Sequence, residues 1–359
     1  MSKKKKLRIG VIFGGRSGEH EVSIVSAQSV MKALDKKKYQ VIPIGIAKQG
    51  LWITKNPVQA LKTGQMKEKG TRLIPEEVLK RCDVIFPVLH GSYGEDGTVQ
   101  GMFEMANIVY VGGGVLGSAV AMDKVIQKQL CDQAGLPSVK YDWFLSKDWQ
   151  KNKKAILQRL NRGLRYPMFT KPANLGSSVG IGKCHNQKEL IAGINDAIKY
   201  DRKIIVEQGI ENIQEIEVAV LGNDNPRASV PGEIIASNEF YDYDAKYVDG
   251  KSQAIIPAKL PKGVTKQIQE IAVKAFKVLD LSGMARVDFL VKKKGYKIYL
   301  NEVNTIPGFT SISMYPQLWQ ASGLPYAKLL DKLIELALER HQEKNSLATS
   351  YQPKEYWYR

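Results

Sequence analysis

Two runs in the last third of the chain carry the residues with the most obvious chemistry. Arg286-Val287-Asp288-Phe289 and Tyr299-Leu300-Asn301-Glu302-Val303-Asn304 flank Lys293, Lys294 and Gly295. Those three are turn residues, so the runs are expected to pair as an antiparallel hairpin. With the turn centred on Gly295, Asp288 falls opposite Glu302 and Arg286 opposite Asn304. Strand alternation then places all four side chains on one face. Two opposed carboxylates destabilise a sheet unless a cation lies between them. Oxygen donors without His or Cys favour a hard ion such as Mg²⁺, completed by phosphate oxygens and water. The competing reading is an exposed hairpin with a surface Arg–Asp pair, but Phe289, Leu290, Ile298, Tyr299 and Leu300 read as buried neighbours.

Four further segments invite chemistry. Lys171-Pro172-Ala173-Asn174-Leu175-Gly176-Ser177-Ser178-Val179-Gly180-Ile181-Gly182 combines small residues that let backbone N–H groups approach phosphate oxygens. It lacks the GK[ST] ending of a Walker A loop, and taken alone it also fits a plain hairpin loop. Lys171 and Lys183 flank it. Gly14-Gly15-Arg16-Ser17-Gly18-Glu19-His20-Glu21 lacks GxGxxG spacing, and its acids also fit simple helix-dipole partners. His90-Gly91-Ser92-Tyr93-Gly94-Glu95-Asp96-Gly97 is a glycine-rich loop with a histidine, a residue that also serves as a core or capping group. Phe240-Tyr241-Asp242-Tyr243-Asp244-Ala245-Lys246-Tyr247 has no clean period and suits a loop that closes over a ligand, or a solvated aromatic loop.

The elements expected to carry these segments alternate at first. Leu7–Phe13, Val41–Ile46, Val84–Leu89 and the short Val109–Val111 read as strands, with a helix from Glu19 to Leu34 between the first two. That order predicts a parallel α/β sheet with binding loops at the strand C-termini. Asp123–Ala134 reads as a helix closed by Gly135. Strands at Met168–Lys171 and Ile204–Glu207 with a helix at 187–200 form a smaller unit. A strand at Glu217–Leu221, a helix at 264–279, the hairpin Ala285–Val303 and a helix near Tyr326–His341 form the third. The expected division is 1–123, 124–215 and 216–344, with a tail at 345–359 that carries Tyr351, Tyr356, Trp357 and Tyr358.

The chain has 359 residues, a length that suggests two or three domains. Its formal net charge of +17 comes from 53 Lys and Arg against 36 Asp and Glu. The excess lies in short separate runs, and no base-reading element accompanies it, so nucleic-acid binding is not expected. Cys82, Cys131 and Cys184 have no CxxC partner, which excludes a disulfide scaffold or zinc module and fits a reducing cytoplasm. No apolar stretch is long enough to span a membrane. The basic start runs into a first strand rather than a signal peptide.

Taken in order, GGRSGEHEVS, HGSYGEDG, KPANLGSSVG, YDYDAKY, RVDF and NEVNTIPGFTSIS closely resemble the D-alanine–D-alanine ligases of the ATP-grasp superfamily, over nearly the whole chain. The resemblance implies an N-terminal parallel α/β domain and central and C-terminal α+β domains that sandwich ATP. It implies that Asp288, Glu302 and Asn304 bind two Mg²⁺ ions (Mn²⁺ being an alternative). Lys124, Lys171 and Ser178 would meet the ATP phosphates, and Lys246 the terminal one. Glu207, Gln208 and Ile210 would form the adenine connection and Glu215 would bind the ribose. Glu19 would bind the first amino acid's ammonium with His90 nearby. Ser177 and Tyr247 would join Glu19 in a hydrogen-bonded set, Gly308 and Ser313 would hold carboxylate or oxyanion oxygens, and Arg286 would stabilise charge in both chemical steps.

The activity so implied is the ADP-forming union of two D-alanines through an acyl phosphate, for peptidoglycan precursors. A cytoplasmic homodimer is implied with it. Tyr247 favours an amine nucleophile over D-lactate. The alternatives are a D-Ala–D-lactate or D-Ala–D-serine ligase of the same fold, or, from another class, a basic nucleic-acid-binding protein.

Overall fold

The first apolar run forms β1 (Leu7–Gly14), buried from Ile9 onward, which is why it sits inside a sheet rather than at its edge. The computed structural model describes residues 5–53, 57, 79–176, 179–235 and 253–351. Helix α1 (His20–Ala33) follows, then β2 (Tyr39–Ile46), β3 (Trp52–Ile53) and β4 (Val84–Val88). The sheet order is β3-β2-β1-β4, with β1 parallel to both β2 and β4 and β3 antiparallel at one edge. Val109–Val111, expected as a strand, is not one: Tyr110 makes a single isolated parallel bridge to Ile85. The Gly112-Gly113-Gly114 segment that follows ends the pairing before a ladder can form. Helices α2 (Thr98–Met105) and α3 (Val115–Met122) follow, then α4 (Lys124–Gln133), whose Val125 and Cys131 pack with the second and third sheets, and Asp123 caps α4 by accepting from the N–H groups of Val125 and Ile126.

A second sheet is antiparallel. It contains β5 (Tyr141–Leu145), β6 (Met168–Pro172), β7 (Gly182–Cys184) and β8 (Lys203–Gln208) in the order β5-β8-β6-β7. Helices α5 (Ser146–Gly163) and α6 (Gln187–Ala197) cover one face, where Trp149, Leu160, Leu190 and Ile194 meet Met168, Ile204 and Val206. The helix expected at 187–200 thus stops at Ala197.

The third sheet comprises β9 (Ile213–Gly222), β10 (Arg227–Ala228), β11 (Gly232–Ile235), β12 (Gln253–Ile255), β13 (Gly283–Lys292) and β14 (Ile298–Asn304). Its order is β12-β11-β9-β13-β14, with β10 on β9. Helix α7 (Lys262–Val278) packs Ile268, Ala272, Ala275 and Phe276 against Ile216, Val218, Val220, Val287 and Phe289. The expected boundary between residues 215 and 216 falls within β9, because the sheet needs that strand continuous. Helices α8 (Met314–Ala321) and α9 (Tyr326–Asn345) return to the first sheet. Leu329, Leu330, Leu333 and Ile334 share one core with Val11, Phe13 and Phe86 of β1 and β4. The second and third sheets present their uncovered faces to each other, and that leaves a cleft.

Candidate active site

Alternation on β13 decides which side chains enter the cleft. Val287, Phe289 and Val291 go into the core under α7, so Arg286, Asp288 and Leu290 face the other way. The register is the expected one, with Asp288 opposite Glu302 and Arg286 opposite Asn304. It arises differently from a simple turn about Gly295. Phe289 pairs with Leu300, so Asn301 is an extra residue in β14. This bulge reconciles the three-residue spacing of buried Leu300 and Val303 with alternation, and it aims Glu302 and Asn304 into the cleft.

Arg286 donates to both oxygens of Asp288, at 2.7 Å from Nε and 2.6 Å from Nη2, and its Nε lies 3.0 Å from Glu217 Oε2. Burial opposes the guanidinium charge, but Asp288 and Glu217 outweigh it and raise its pKa further above the ordinary value. Asn304 Nδ2 donates to Asp288 Oδ2 at 2.9 Å. Two carboxylates and an amide on facing strands are the oxygen donor set that suits Mg²⁺. Among the described residues no cluster of three or more His, Cys, Asp or Glu competes as a metal site.

Across the cleft, β6 and β8 contribute Lys171 and Glu207, both buried. Lys171 Nζ is 2.7 Å from Glu207 Oε2, and Lys128 Nζ is 3.1 Å from Glu207 Oε1. Burial pushes the Glu207 carboxyl up, but Lys128 and Lys171 bring it down to about 2. Burial likewise works against the Lys171 ammonium, and Glu207, Glu302 and Glu215 more than offset it. Lys124 Nζ donates to Leu175 O at 2.8 Å and lies 3.7 Å from Glu302 Oε2. The cavity has a volume of about 480 Å³, and Ile210, Glu215 and Phe169 complete its wall beside Gln208. Such a space accepts a ligand of nucleotide size.

The other end of the site is built by the first sheet. Gly14 (φ +91°) turns the chain out of β1, and Glu19 follows as the residue preceding α1. A Cβ on Gly91 would fall 2.7 Å from Glu19 Oε2, and one on Gly176 2.9 Å from it, so glycines let both loops close on this carboxylate. His90, expected near the first amino acid, has two partners within the protein. Its Nδ1 donates to Ile306 O at 2.9 Å and its Nε2 lies 3.2 Å from Ser26 Oγ, which occupies both ring nitrogens, and burial pushes its pKa down. Glu95 takes Ile306 N–H at 2.9 Å and Gly91 N–H at 2.6 Å, and Ser26 Oγ accepts from Phe309 N–H at 3.4 Å. Three side chains of the first part therefore fix the loop that carries Gly308. Gly308 itself sits against Ser313, whose Oγ accepts from Thr310 N–H at 3.1 Å at the start of α8.

Sequence reasoning missed Glu95, Lys128 and Glu217. Glu95 lies in a motif already singled out, but only the structure gives its partners. Lys128 is four residues after Lys124, a spacing that puts both on one helix face. Glu217 lies within β9, opposite Asp288 of β13, and had no separate signal. Ser177, Ser178, Lys246 and Tyr247 lie outside the described residues.

The two opposed sheets with an acid- and lysine-lined cleft define the class: an ATP-grasp architecture. A family model described as "D-ala D-ala ligase N-terminus" matches residues 8–113, and one described as "D-ala D-ala ligase C-terminus" matches residues 130–335. The D-alanine–D-alanine ligase of Natranaerobius thermophilus is 50% identical over 363 residues, covering 97% of this chain and 99% of that protein. The solved D-alanine–D-alanine ligase of Coxiella burnetii superposes with a TM-score of 0.81 at 39% identity, covering 96% of this chain and 97% of that one. The VanG D-Ala:D-Ser ligase of Enterococcus faecalis gives a TM-score of 0.82 at 38% identity, covering 93% and 100%. The chain belongs to the D-alanine–D-alanine ligase family.

Proposed function

We propose that this protein is an ATP-dependent ligase that joins two D-alanines into D-alanyl-D-alanine for peptidoglycan precursors. The observation that carries the reading is the pairing of Asp288 with Glu302, flanked by Arg286 and Asn304, across one cleft from Lys171 and Lys124. A carboxylate is a poor electrophile and its oxygen a poor leaving group. The first D-alanine is therefore activated by transfer of the terminal phosphoryl group of ATP to its carboxylate oxygen, and ADP leaves. The amine of the second D-alanine adds to that carbonyl, gives up a proton, and phosphate departs with the C–O bond.

Asp288, Glu302 and Asn304 would hold two Mg²⁺ ions, which supply charge neutralisation at the phosphate oxygens. The chain's own groups do the rest. Glu19 binds the first ammonium, and Lys124 and Lys171 attract the phosphates. Ser178 and Lys246 contact the phosphates as well. Gln208 and Ile210 line the base end with Glu207, and Glu215 holds the ribose. Arg286, with the Gly308 N–H and Ser313, meets the oxygens that gain charge in each step. Ser177 and Tyr247 link the loops around the second amino acid. His90 acts through Ile306 rather than on substrate.

The three-part division is retained with its second boundary in the 209–212 connection, and a cytoplasmic homodimer completes the reading. No helix among the described residues is long and apolar enough to cross a membrane.

Mass spectrometry with ADP release, using ATP, Mg²⁺ and D-alanine beside parallel reactions with D-lactate, D-serine or L-alanine, tests the reading. D-Ala–D-Ala as main product, lost without Mg²⁺ and absent with L-alanine alone, is expected. A depsipeptide or D-Ala–D-Ser main product would overturn the second substrate, and no ADP under any condition would overturn the reaction.

A further inference from the structure

Lys128 is buried, cationic and unused by the mechanism above. It lies one turn after Lys124 on α4, with its side chain only 3% exposed. Its ammonium lies 3.1 Å from Glu207 Oε1 and 3.4 Å from Asn301 O, the carbonyl of the bulged residue, and 5.8 Å above the Tyr141 ring. Glu207 and Lys171 line the cavity, and Lys128 stands behind them on the far side of the Glu207 carboxylate. One carboxylate is thus shared by two ammonium groups.

The charge count is what matters. A buried carboxylate bound to one lysine makes a neutral pair, and that lysine has little attraction left for a phosphate. With a second lysine on the same carboxylate the trio carries a net positive charge, and only one of its two cations reaches the cavity. We propose that Lys128 is a positioning residue for the nucleotide. It takes up part of the charge of Glu207 from behind, so that the Lys171 ammonium presents net positive charge to the phosphates. It also holds the Glu207 carboxylate at a fixed orientation in the cavity wall. The proposal rests on the nucleotide reading of the cleft.

The competing role is a purely structural ion pair tying α4 to β8 and β14. The two are separated by calorimetric titration with Mg²⁺ and ATP, together with steady-state kinetics, on the full chain. Lys128→Met is expected to weaken the ATP Kd about tenfold and raise the ATP KM in parallel, with the D-alanine KM within about twofold. Lys128→Arg, which keeps the charge, is expected to restore the ATP Kd to within about threefold and guards against a folding failure in the Met variant. In a Glu207→Gln background, the Met substitution should weaken ATP by less than about twofold, because the charge it shares is gone. An unchanged ATP Kd in Lys128→Met, or the same weakening with and without Glu207, overturns the proposal. Wild-type protein that turns over D-alanine but shows no ATP binding would overturn the nucleotide reading itself.

Discussion

Arg286 is held from two sides, by Asp288 at 2.6 Å and by Glu217 at 3.0 Å, and its guanidinium faces the cleft. A preorganised cation needs no reorganisation as charge develops, and losing one such donor typically costs about 2.7–4 kcal/mol of barrier. Arg286→Ala is therefore expected to lose about 10²–10³-fold in kcat in a coupled ADP assay. Substantial turnover would remove Arg286 from the chemistry. Glu95 makes a different prediction. Burial first, then the nearby Glu19 charge, push its carboxyl up to about 8, against two backbone N–H bonds and Arg286. The folded chain thus binds this proton more tightly than the unfolded chain does. The stability it contributes is complete below the usual carboxylate range and is lost as pH rises toward about 8. Wild type should lose stability relative to Glu95→Gln in urea unfolding across that window. A flat difference would place Glu95 at an ordinary pKa.

At the scale of elements, the ends of strands and helices hold the reacting groups, so turns and caps decide geometry. A Cβ on Gly14 would fall 2.1 Å from Ile46 O, in a backbone conformation with φ +91°. Gly14→Ala is expected to cost at least about 1–3 kcal/mol in denaturant unfolding, from backbone strain alone. Wild-type stability would mean that the turn relaxes elsewhere. The loop after β14 depends on the first sheet in a similar way. Glu95 and His90 grip the N–H and C=O of the same residue, Ile306. Removing either grip should impair the same loop, so His90→Ala and Glu95→Ala should combine less than additively in kcat. Strict additivity would show that they act on separate parts of the site.

The whole molecule is tied together by α9, which belongs to the last part of the sequence but packs in the core of the first. Arg340 donates to the carbonyls of Gly112 and Tyr110 and to Ser282 Oγ, and its guanidinium lies 4.4 Å above the Tyr110 ring. At the other end Asp331 accepts from Lys38 at 2.7 Å and from Tyr39 Oη at 2.9 Å. Arg340→Met would leave these carbonyls without their donor, a loss of about 1–3 kcal/mol. The first and third sheets share one core, so urea unfolding should keep a single transition while its midpoint falls. Two separate transitions would show that they fold independently.

Much of this was legible in the residues themselves. Turn residues and alternation anticipated Asp288 opposite Glu302, although the register is reached through the Asn301 bulge that they did not show, and the motif order identified the family. The apolar runs likewise located β1, β2 and β4, since strands buried on both faces read as continuous hydrophobic stretches. Other features depended on contacts between residues far apart in sequence. Val109–Val111 has strand composition, but only the absence of a paired ladder shows that it is not a strand. The ring nitrogens of His90 meet Ile306 and Ser26, partners that its own motif does not reveal. Lys128 and Glu95 gained meaning only from partners 79 and 211 residues away. Sequence determines which chemical groups are available and the local face on which each lies. Tertiary packing decides which of those groups meet, because burial and pairing are set by neighbours that chain order does not reveal.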